Sequence, residues 1–143
     1  MGKYDVLKLE NQVCFPLYAA SREIIKQYHP FLLDLDITYT QYITLMVLWE
    51  VKKISVKDLG KKLYLDSGTL TPVLKNLEGR GYITRNRSQQ DERVLIVEIT
   101  ETGMALREKA VEVPMKMASC SKLSEDDAKE LYRLLYKLLD ALE

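Results

Sequence analysis

The segment Asp66-Ser-Gly-Thr-Leu-Thr-Pro-Val-Leu-Lys-Asn-Leu-Glu78 constrains the fold of this chain more than any other, because its two faces require different partners. On a helix, Leu70, Val73, Leu74 and Leu77 fall at i, i+3, i+4 and i+7 and make one apolar stripe. Ser67, Thr71 and Lys75 stand four apart on another stripe, with Thr69 beside them. Short hydroxyls near a helix N-terminus, followed by one lysine, suit the floor and wall of a DNA major groove. Next in the chain, Tyr82–Arg87 and Val94–Ile99 flank a polar turn, predicting a hairpin with arginines at its base and tip. Helix plus basic hairpin is the pattern of a winged helix-turn-helix. A surface helix packed by its leucines would explain the stripe but not the adjoining basic hairpin.

Charge distribution supports the same reading. The formal net charge is zero, yet Lys52 to Arg93 holds ten Lys and Arg against five Asp and Glu, leaving the remaining residues acidic. The helix and hairpin are thus a basic footprint on an otherwise acidic chain, and local charge steers toward phosphate. Two cysteines far apart, Cys14 and Cys120, and a single histidine, His29, give no metal-ligand spacing and no His-dependent triad. No metal site or cofactor is expected. No apolar run approaches the roughly 18 residues of a membrane span, and the N-terminus has no signal-peptide core. The expectation is a cytoplasmic protein with reduced thiols at rest.

Elsewhere the chain reads as helical. Leu7 to Leu35 is a helical stretch interrupted by Pro16 and Pro30, with Pro30 ending a turn. Thr38-Tyr-Thr-Gln41 is a capping-box pattern opening a second helix. Ser55-Val-Lys-Asp58 starts a short third helix. Pro72 is awkward inside the fourth: either regular helix begins near Thr71, or Gly68 absorbs the clash. Thr100-Glu-Thr-Gly103 caps a helix to Val113, where Pro114 introduces a kink, and Ser124 caps the last. That last helix carries Leu131, Leu134, Leu135, Leu138, Leu139 and Leu142 in one stripe.

The predicted architecture is mainly α: a winged helix-turn-helix with N- and C-terminal dimerisation helices. One domain spans residues 1–143, with the winged part at about 38–99 and the dimerisation helices at about 7–35 and 101–142. The terminal helices are too long and too apolar to serve five short elements alone. Pairing with a second copy buries them, and a two-fold homodimer binds half-sites about 34 Å apart, which predicts a palindromic operator in double-stranded DNA. The alternative is that the last helix folds back over its own domain.

Four strings in this arrangement, Leu9-Glu-Asn-Gln-Val-Cys-Phe15, Ile37-Thr-Tyr-Thr-Gln-Tyr42, Leu63-Tyr-Leu-Asp-Ser-Gly-Thr-Leu-Thr-Pro72 and Asp91-Glu-Arg93, resemble the MarR family of dimeric winged-helix repressors. The branch most similar is the organic-hydroperoxide-sensing (OhrR-type) one, and the resemblance runs nearly the full length. It implies that the Asp66–Glu78 helix enters the major groove with Ser67, Thr69, Thr71, Pro72 and Lys75. It also implies that the wing reaches the flanking minor groove with Arg93 at its tip. A narrow minor groove has enhanced negative potential and attracts arginine. Asp91 orients Arg93 or pairs nearby, while Arg85 and Arg87, two apart on one strand face, suit backbone phosphate or else form a solvated hairpin face.

Cys14 is the second candidate site. A lone cysteine on an amphipathic helix is most often a small buried hydrophobe, but three tyrosines bear on this one. Tyr18 is one turn beyond it. Tyr28 would stand about 21 Å away along a continuous helix, so Tyr28 and Tyr39 can reach Cys14 only by folding back or from a partner subunit. The resemblance implies the partner subunit, with a reactive cysteine at Cys14 hydrogen-bonded by the tyrosines. It implies organic hydroperoxide as inducer, with Val13, Phe15 and Phe31 as apolar neighbours. Phenol hydroxyls donating to sulfur favour the thiolate, which attacks peroxide oxygen and yields sulfenic acid. Pro16 places Cys14 at a kink or near a helix start. For Cys120 two readings stand open, a resolving thiol that closes an intersubunit disulfide or an inert helix cysteine.

The leading expectation is therefore a repressor that senses organic hydroperoxides through Cys14 and then releases its operator. The alternative is a MarR-type repressor gated by a small non-oxidant ligand such as a phenolic compound, with Cys14 structural. An enzyme is not expected: a thiol peroxidase needs no basic wing, and neither a CxxC motif nor a nearby arginine supports turnover. A purely helical interaction protein would leave the basic hairpin without a purpose.

Overall fold

The anticipated capping box is formed, and it sets where the second helix begins. In the computed structural model, which describes residues 2–143, Thr38 Oγ1 accepts from the Gln41 backbone N–H (3.3 Å) and Gln41 Oε1 accepts from the Thr38 N–H (3.0 Å). Eight helices and three short strands follow one another among the described residues. They are α1 (Cys14–Leu33), α2 (Tyr39–Val51), β1 (Lys53–Ser55), α3 (Val56–Leu63), α4 (Ser67–Gly79), β2 (Ile83–Arg87), β3 (Leu95–Ile99), α5 (Glu101–Ala105), α6 (Arg107–Ala110), α7 (Glu112–Cys120) and α8 (Glu125–Leu142).

Two expectations about the first helix need correction. Regular helix starts at Cys14, not near Leu7; Asp5–Leu7 and Leu9–Asn11 are single 3-10 turns, pinned by the Gln12 amide donating to the carbonyls of Val6 (2.7 Å) and Lys8 (2.9 Å). Pro16 consequently lies in the first turn of α1, where a missing N–H forfeits no helical bond. Pro30 does not end the helix either. The chain stays helical through it to Leu33, because Leu32 and Leu35 just beyond are buried in the core and hold the final turn in place.

Core packing explains why α2, α3 and α4 sit as they do. Leu45 and Leu48 of α2, Leu59 of α3, Leu70, Leu74 and Leu77 of α4, and Ile83 and Val97 of the hairpin are almost completely inaccessible to solvent. Each such side chain contributes about 1.5–3 kcal/mol of apolar burial. The α3–α4 turn is tight: Tyr64 takes a left-handed conformation (φ 57°), and a Cβ on Gly60 would stand 2.8 Å from the Leu65 carbonyl oxygen. Only glycine fits there.

The sheet is antiparallel in the order β1-β3-β2. The hairpin pairs Ile83 with Ile99, Arg85 with Val97 and Arg87 with Leu95. Strand β1 was not foreseen; it pairs Lys53, Ile54 and Ser55 with Glu98, Val97 and Ile96. Ser55 was read only as a helix cap, which it also is, its hydroxyl accepting from Asp58 N–H at 3.1 Å. At the other side, Trp49 Nε1–H donates to the Gly103 carbonyl (2.9 Å), locking α2 to α5. A Cβ on Gly103 would lie 2.3 Å from the Tyr82 carbonyl oxygen, so this junction too demands glycine.

The helix expected from Thr100 to Val113 is longer and broken earlier. It runs on as α5, α6 and α7 to Cys120, with interruptions at Leu106 and Val111 that keep right-handed helical backbone angles. The second break precedes Pro114 because the proline ring crowds the carbonyl four residues back, at Ala110. Pro114 itself stands in the first turn of α7. Helix α8, capped by Ser124 accepting from Asp127 N–H (3.1 Å), half-buries Leu135 and Leu139 and leaves Leu131, Leu134, Leu138 and Leu142 exposed.

Candidate nucleic-acid interface and thiol site

Helix α4 begins at Ser67 rather than Thr71. Asp66 caps it by accepting from Thr69 N–H at 2.7 Å, and that hydrogen bond holds the Asp66 carboxyl below its usual range. Gly68 stands four residues before Pro72 and offers the ring the least obstruction, which is the second of the two arrangements anticipated. With Leu70, Leu74 and Leu77 turned into the core, Ser67, Thr69, Pro72 and Lys75 are exposed and Thr71 is half-buried. The Thr71 hydroxyl donates to the Ser67 carbonyl (2.7 Å), leaving its lone pairs toward solvent as acceptors. One exposed face thus carries hydroxyls, a proline and a lysine, at a helix N-terminus that favours anions.

In the wing, Asp91 fixes Arg93. Its Oδ1 accepts from Arg93 N–H (3.0 Å) and Nε (3.1 Å), and Oδ2 from a terminal guanidinium nitrogen (3.2 Å). These bonds, first of all those from the guanidinium, hold the Asp91 carboxyl low. The Arg93 side chain remains 90% exposed at the tip, aimed and unburied. Arg85 is in a different position from the one expected. Its Nε (3.3 Å) and a terminal nitrogen (3.0 Å) donate to Glu78 Oε1, and only 18% of its side chain is exposed. The Arg85 hydrogen bond depresses the Glu78 carboxyl. Arg85 therefore clamps the end of α4 to β2, while Arg87, two residues on, is exposed.

Cys14 is the first residue of α1 and is exposed, as is Cys120 at the end of α7; both are free thiols. Tyr18, one turn past Cys14, accepts a hydrogen bond from Arg22 (3.3 Å), whose guanidinium lies 5.5 Å from the tyrosine ring centre. Tyr28 and Tyr39 do come together, with ring centroids 4.9 Å apart, and Tyr42 completes the group at 5.9 and 6.2 Å from them. Burial, and then the neighbouring Tyr28, raises the Tyr39 phenol, and the same causes push Tyr42 up to about 12. Since α1 is continuous from Cys14 past Tyr28, these groups lie about 21 Å apart along its axis. A single chain does not bring Cys14 to the tyrosines.

Two pairings with a bearing on this site went unread in the sequence, Gln41 with Asn76 and Arg80 with Asp36. Gln41 Nε2 donates to Asn76 Oδ1 (2.9 Å), and the Arg80 guanidinium reaches both the carbonyl and the carboxylate of Asp36. The capping box pointed to Gln41 but not to its second bond; Arg80 entered only as a charge. Among the described residues, no helix is long and apolar enough to cross a membrane.

Comparison with known proteins adds an independent line. The family described as transcriptional regulator SarA/Rot matches residues 26–110. The organic hydroperoxide resistance transcriptional regulator of Bacillus subtilis (strain 168) is 54% identical over 141 residues, covering 99% of this chain and 96% of that protein. The HTH-type transcriptional regulator SarZ of Staphylococcus aureus (strain MRSA252) is 43% identical over 123 residues, 86% of this chain and 83% of the relative. Among solved structures, reduced AbfR bound to DNA superimposes with a TM-score of 0.80 at 37% identity, covering 99% of each chain. AbfR is a Staphylococcus epidermidis protein, and its disulfide form gives a TM-score of 0.64 at 36% identity over 98% of this chain and 95% of that one.

Proposed function

Because this chain belongs to the MarR-type winged-helix transcriptional regulators, with organic hydroperoxide resistance regulators among its relatives, we propose that it is a homodimeric DNA-binding repressor that releases its operator when an organic hydroperoxide oxidises Cys14. The observation that carries this reading is the layout of α1. Its exposed thiol opens the helix, and Tyr28 toward its other end pairs with Tyr39 of α2. A two-fold axis crossing two such helices antiparallel lays each Cys14 beside Tyr28 and Tyr39 of the partner subunit, reciprocally. The exposed apolar residues of α1 and α8 (Phe15, Leu17, Ile24, Leu131, Leu134 and Leu138) supply the surface for that pairing. Residues 38–99 form the DNA-binding part, and the flanking helices the dimer.

In this reading Ser67, Thr69, Thr71, Pro72 and Lys75 face the major groove. Arg93, steadied by Asp91, enters the minor groove; Arg87 meets phosphate. Arg85 positions the wing against α4 through Glu78 and touches DNA only indirectly. Both half-sites of a palindromic operator are engaged, about 34 Å apart.

Phenols donating to sulfur favour the thiolate. The Cys14 thiolate attacks the terminal oxygen of the hydroperoxide: an S–O bond forms, the O–O bond breaks, and the departing alkoxide takes a proton and leaves as the alcohol. Sulfur gives up two electrons and ends as sulfenic acid; the thiol of Cys120 of the partner subunit or a small thiol then attacks that sulfur, an S–S bond forms, the S–O bond breaks and water leaves. Each thiol consumes one peroxide without turnover, which makes the protein a regulator rather than an enzyme, acting on cytoplasmic DNA. The test is operator binding at fixed salt with and without an alkyl hydroperoxide. Wild type loses binding on oxidation and Cys14→Ser keeps it; wild-type binding that the hydroperoxide leaves unchanged would instead support gating by a non-oxidant ligand.

A further inference from the structure

Besides its Glu78–Arg85 tie to β2, helix α4 is bridged to the corner where α1 ends and α2 begins. That corner is built from Asp34–Thr38, with Asp36 in a left-handed conformation (φ 53°) and Ile37 N–H donating to the Leu32 carbonyl at 3.3 Å. Two side-chain bridges cross from α4 to it. From the C-cap of α4, one terminal nitrogen of Arg80 donates to the Asp36 backbone carbonyl, and the other lies 3.4 Å from the Asp36 carboxylate and 3.4 Å from the Tyr82 hydroxyl. One turn earlier, Asn76 accepts from Gln41 at 2.9 Å.

Both bridges are more than surface decoration. Gln41 is nearly buried and is also the capping-box residue of α2, so one side chain fixes the helix start that bears Tyr39 and holds Asn76 of α4. The Arg80 guanidinium stacks over the Tyr82 ring at 4.9 Å, at the foot of the wing. It therefore joins three parts: the end of the helix that begins at Cys14, the end of the recognition helix and the base of the hairpin. The Asp36 carboxylate is 93% exposed and contributes little to this bridge through charge. The backbone carbonyl is the firm contact, and a backbone contact follows any shift of the corner itself.

We infer that Arg80 and Asn76 are positioning residues that make α4 and the wing move with the α1–α2 corner, so that displacement of Tyr28 and Tyr39 reaches the DNA-binding face through the Asp36 carbonyl and the Gln41 amide. The inference rests on the oxidation-gated reading above. It requires no contact between Arg80 or Asn76 and DNA. Apolar packing of Leu70, Leu74 and Leu77 holds α4 in the core, and the two hydrogen-bonded bridges connect it to the α1–α2 corner.

The test compares operator affinity of the full-length dimer in its reduced and its hydroperoxide-oxidised forms, by fluorescence anisotropy at fixed salt. Cys14 oxidation is quantified by mass spectrometry in every sample. Wild type should show a ratio of oxidised to reduced Kd in the roughly 5- to 150-fold range of coupled sites. In Arg80→Ala the ratio falls at least about fivefold, because the oxidised protein stays on DNA, while Cys14 oxidises as in wild type. Arg80→Lys, which can still donate to the Asp36 carbonyl, recovers part of the response. Asn76→Ala, at an exposed position, reduces the ratio in the same direction and serves should Arg80→Ala fail to fold. A purely structural role weakens both forms in parallel and leaves the ratio at the wild-type value; that result in Arg80→Lys and Asn76→Ala overturns the inference. A wild-type ratio of one at full Cys14 oxidation sinks the oxidation reading and this inference together.

Discussion

Tyr28 meets Tyr39 edge-on, with ring centroids 4.9 Å apart and planes inclined at 62°. One ring comes from the penultimate turns of α1, the other from the first residue of α2, so the contact spans the corner that α4 holds from behind. It also sets two phenols side by side far from the thiol of their own chain. In the proposed dimer this pair would meet the Cys14 thiol of a second subunit.

The two wing arginines should separate in a salt titration. Arg93→Ala removes an exposed cation from the tip and should lower the slope of log affinity against log salt by about one per subunit. Arg85→Ala should weaken binding with the slope unchanged, since its guanidinium is committed to Glu78. Anisotropy measurements over a salt series decide it. Equal loss of slope in both would mean that the Arg85–Glu78 pair opens onto phosphate.

Tyr42 makes stability depend on pH only in alkali. Its folded pKa is raised, to about 12 from 10.0, chiefly by burial. A raised folded value means that its contribution is complete below the unfolded pKa, declines above it and is gone once pH passes the folded value. Thermal unfolding of wild type should therefore fall progressively through that window. Tyr42→Phe keeps the packing and removes the ionisation, so its decline should be shallower. Identical profiles for the two proteins would contradict this assignment.

Leu134→Asp should yield a monomer. The residue lies on the unburied apolar stripe of α8, where a charge costs a single chain little and a dimer interface a great deal. Sedimentation velocity should show one chain per particle, and affinity for a palindromic operator should drop by at least roughly 100-fold as the second half-site is lost. A dimer of normal affinity would move the interface away from α8.

Much of this fold was legible in the sequence because it was written locally. Thr38 with Gln41, Ser55 with Asp58 and Ser124 with Asp127 place helix starts by side-chain caps that a reader can see. The Leu70–Leu77 stripe orients α4. What escaped depended on partners distant in the chain. Strand β1 is three residues long and exists because β3 offers it an edge. Pro30 is tolerated because Leu32 and Leu35 are buried beyond it. That Arg85 pairs with Glu78, seven residues earlier, was not visible in the local pattern. Arg80 and Asp36 are 44 residues apart and share no local pattern. For the thiol site, the distance of about 21 Å along a continuous helix was readable, and α1 is continuous from Cys14 past Tyr28.

Whether oxidation of Cys14 is the event that empties the operator can be read directly. We would titrate the DNA-bound dimer with substoichiometric alkyl hydroperoxide. The same samples would be read twice, by anisotropy for DNA released and by mass spectrometry for Cys14 oxidised. Release should follow Cys14 oxidation throughout the titration and stop when Cys14 is spent. Complete oxidation of Cys14 with DNA still bound, or release while Cys14 remains a thiol, would contradict this expectation.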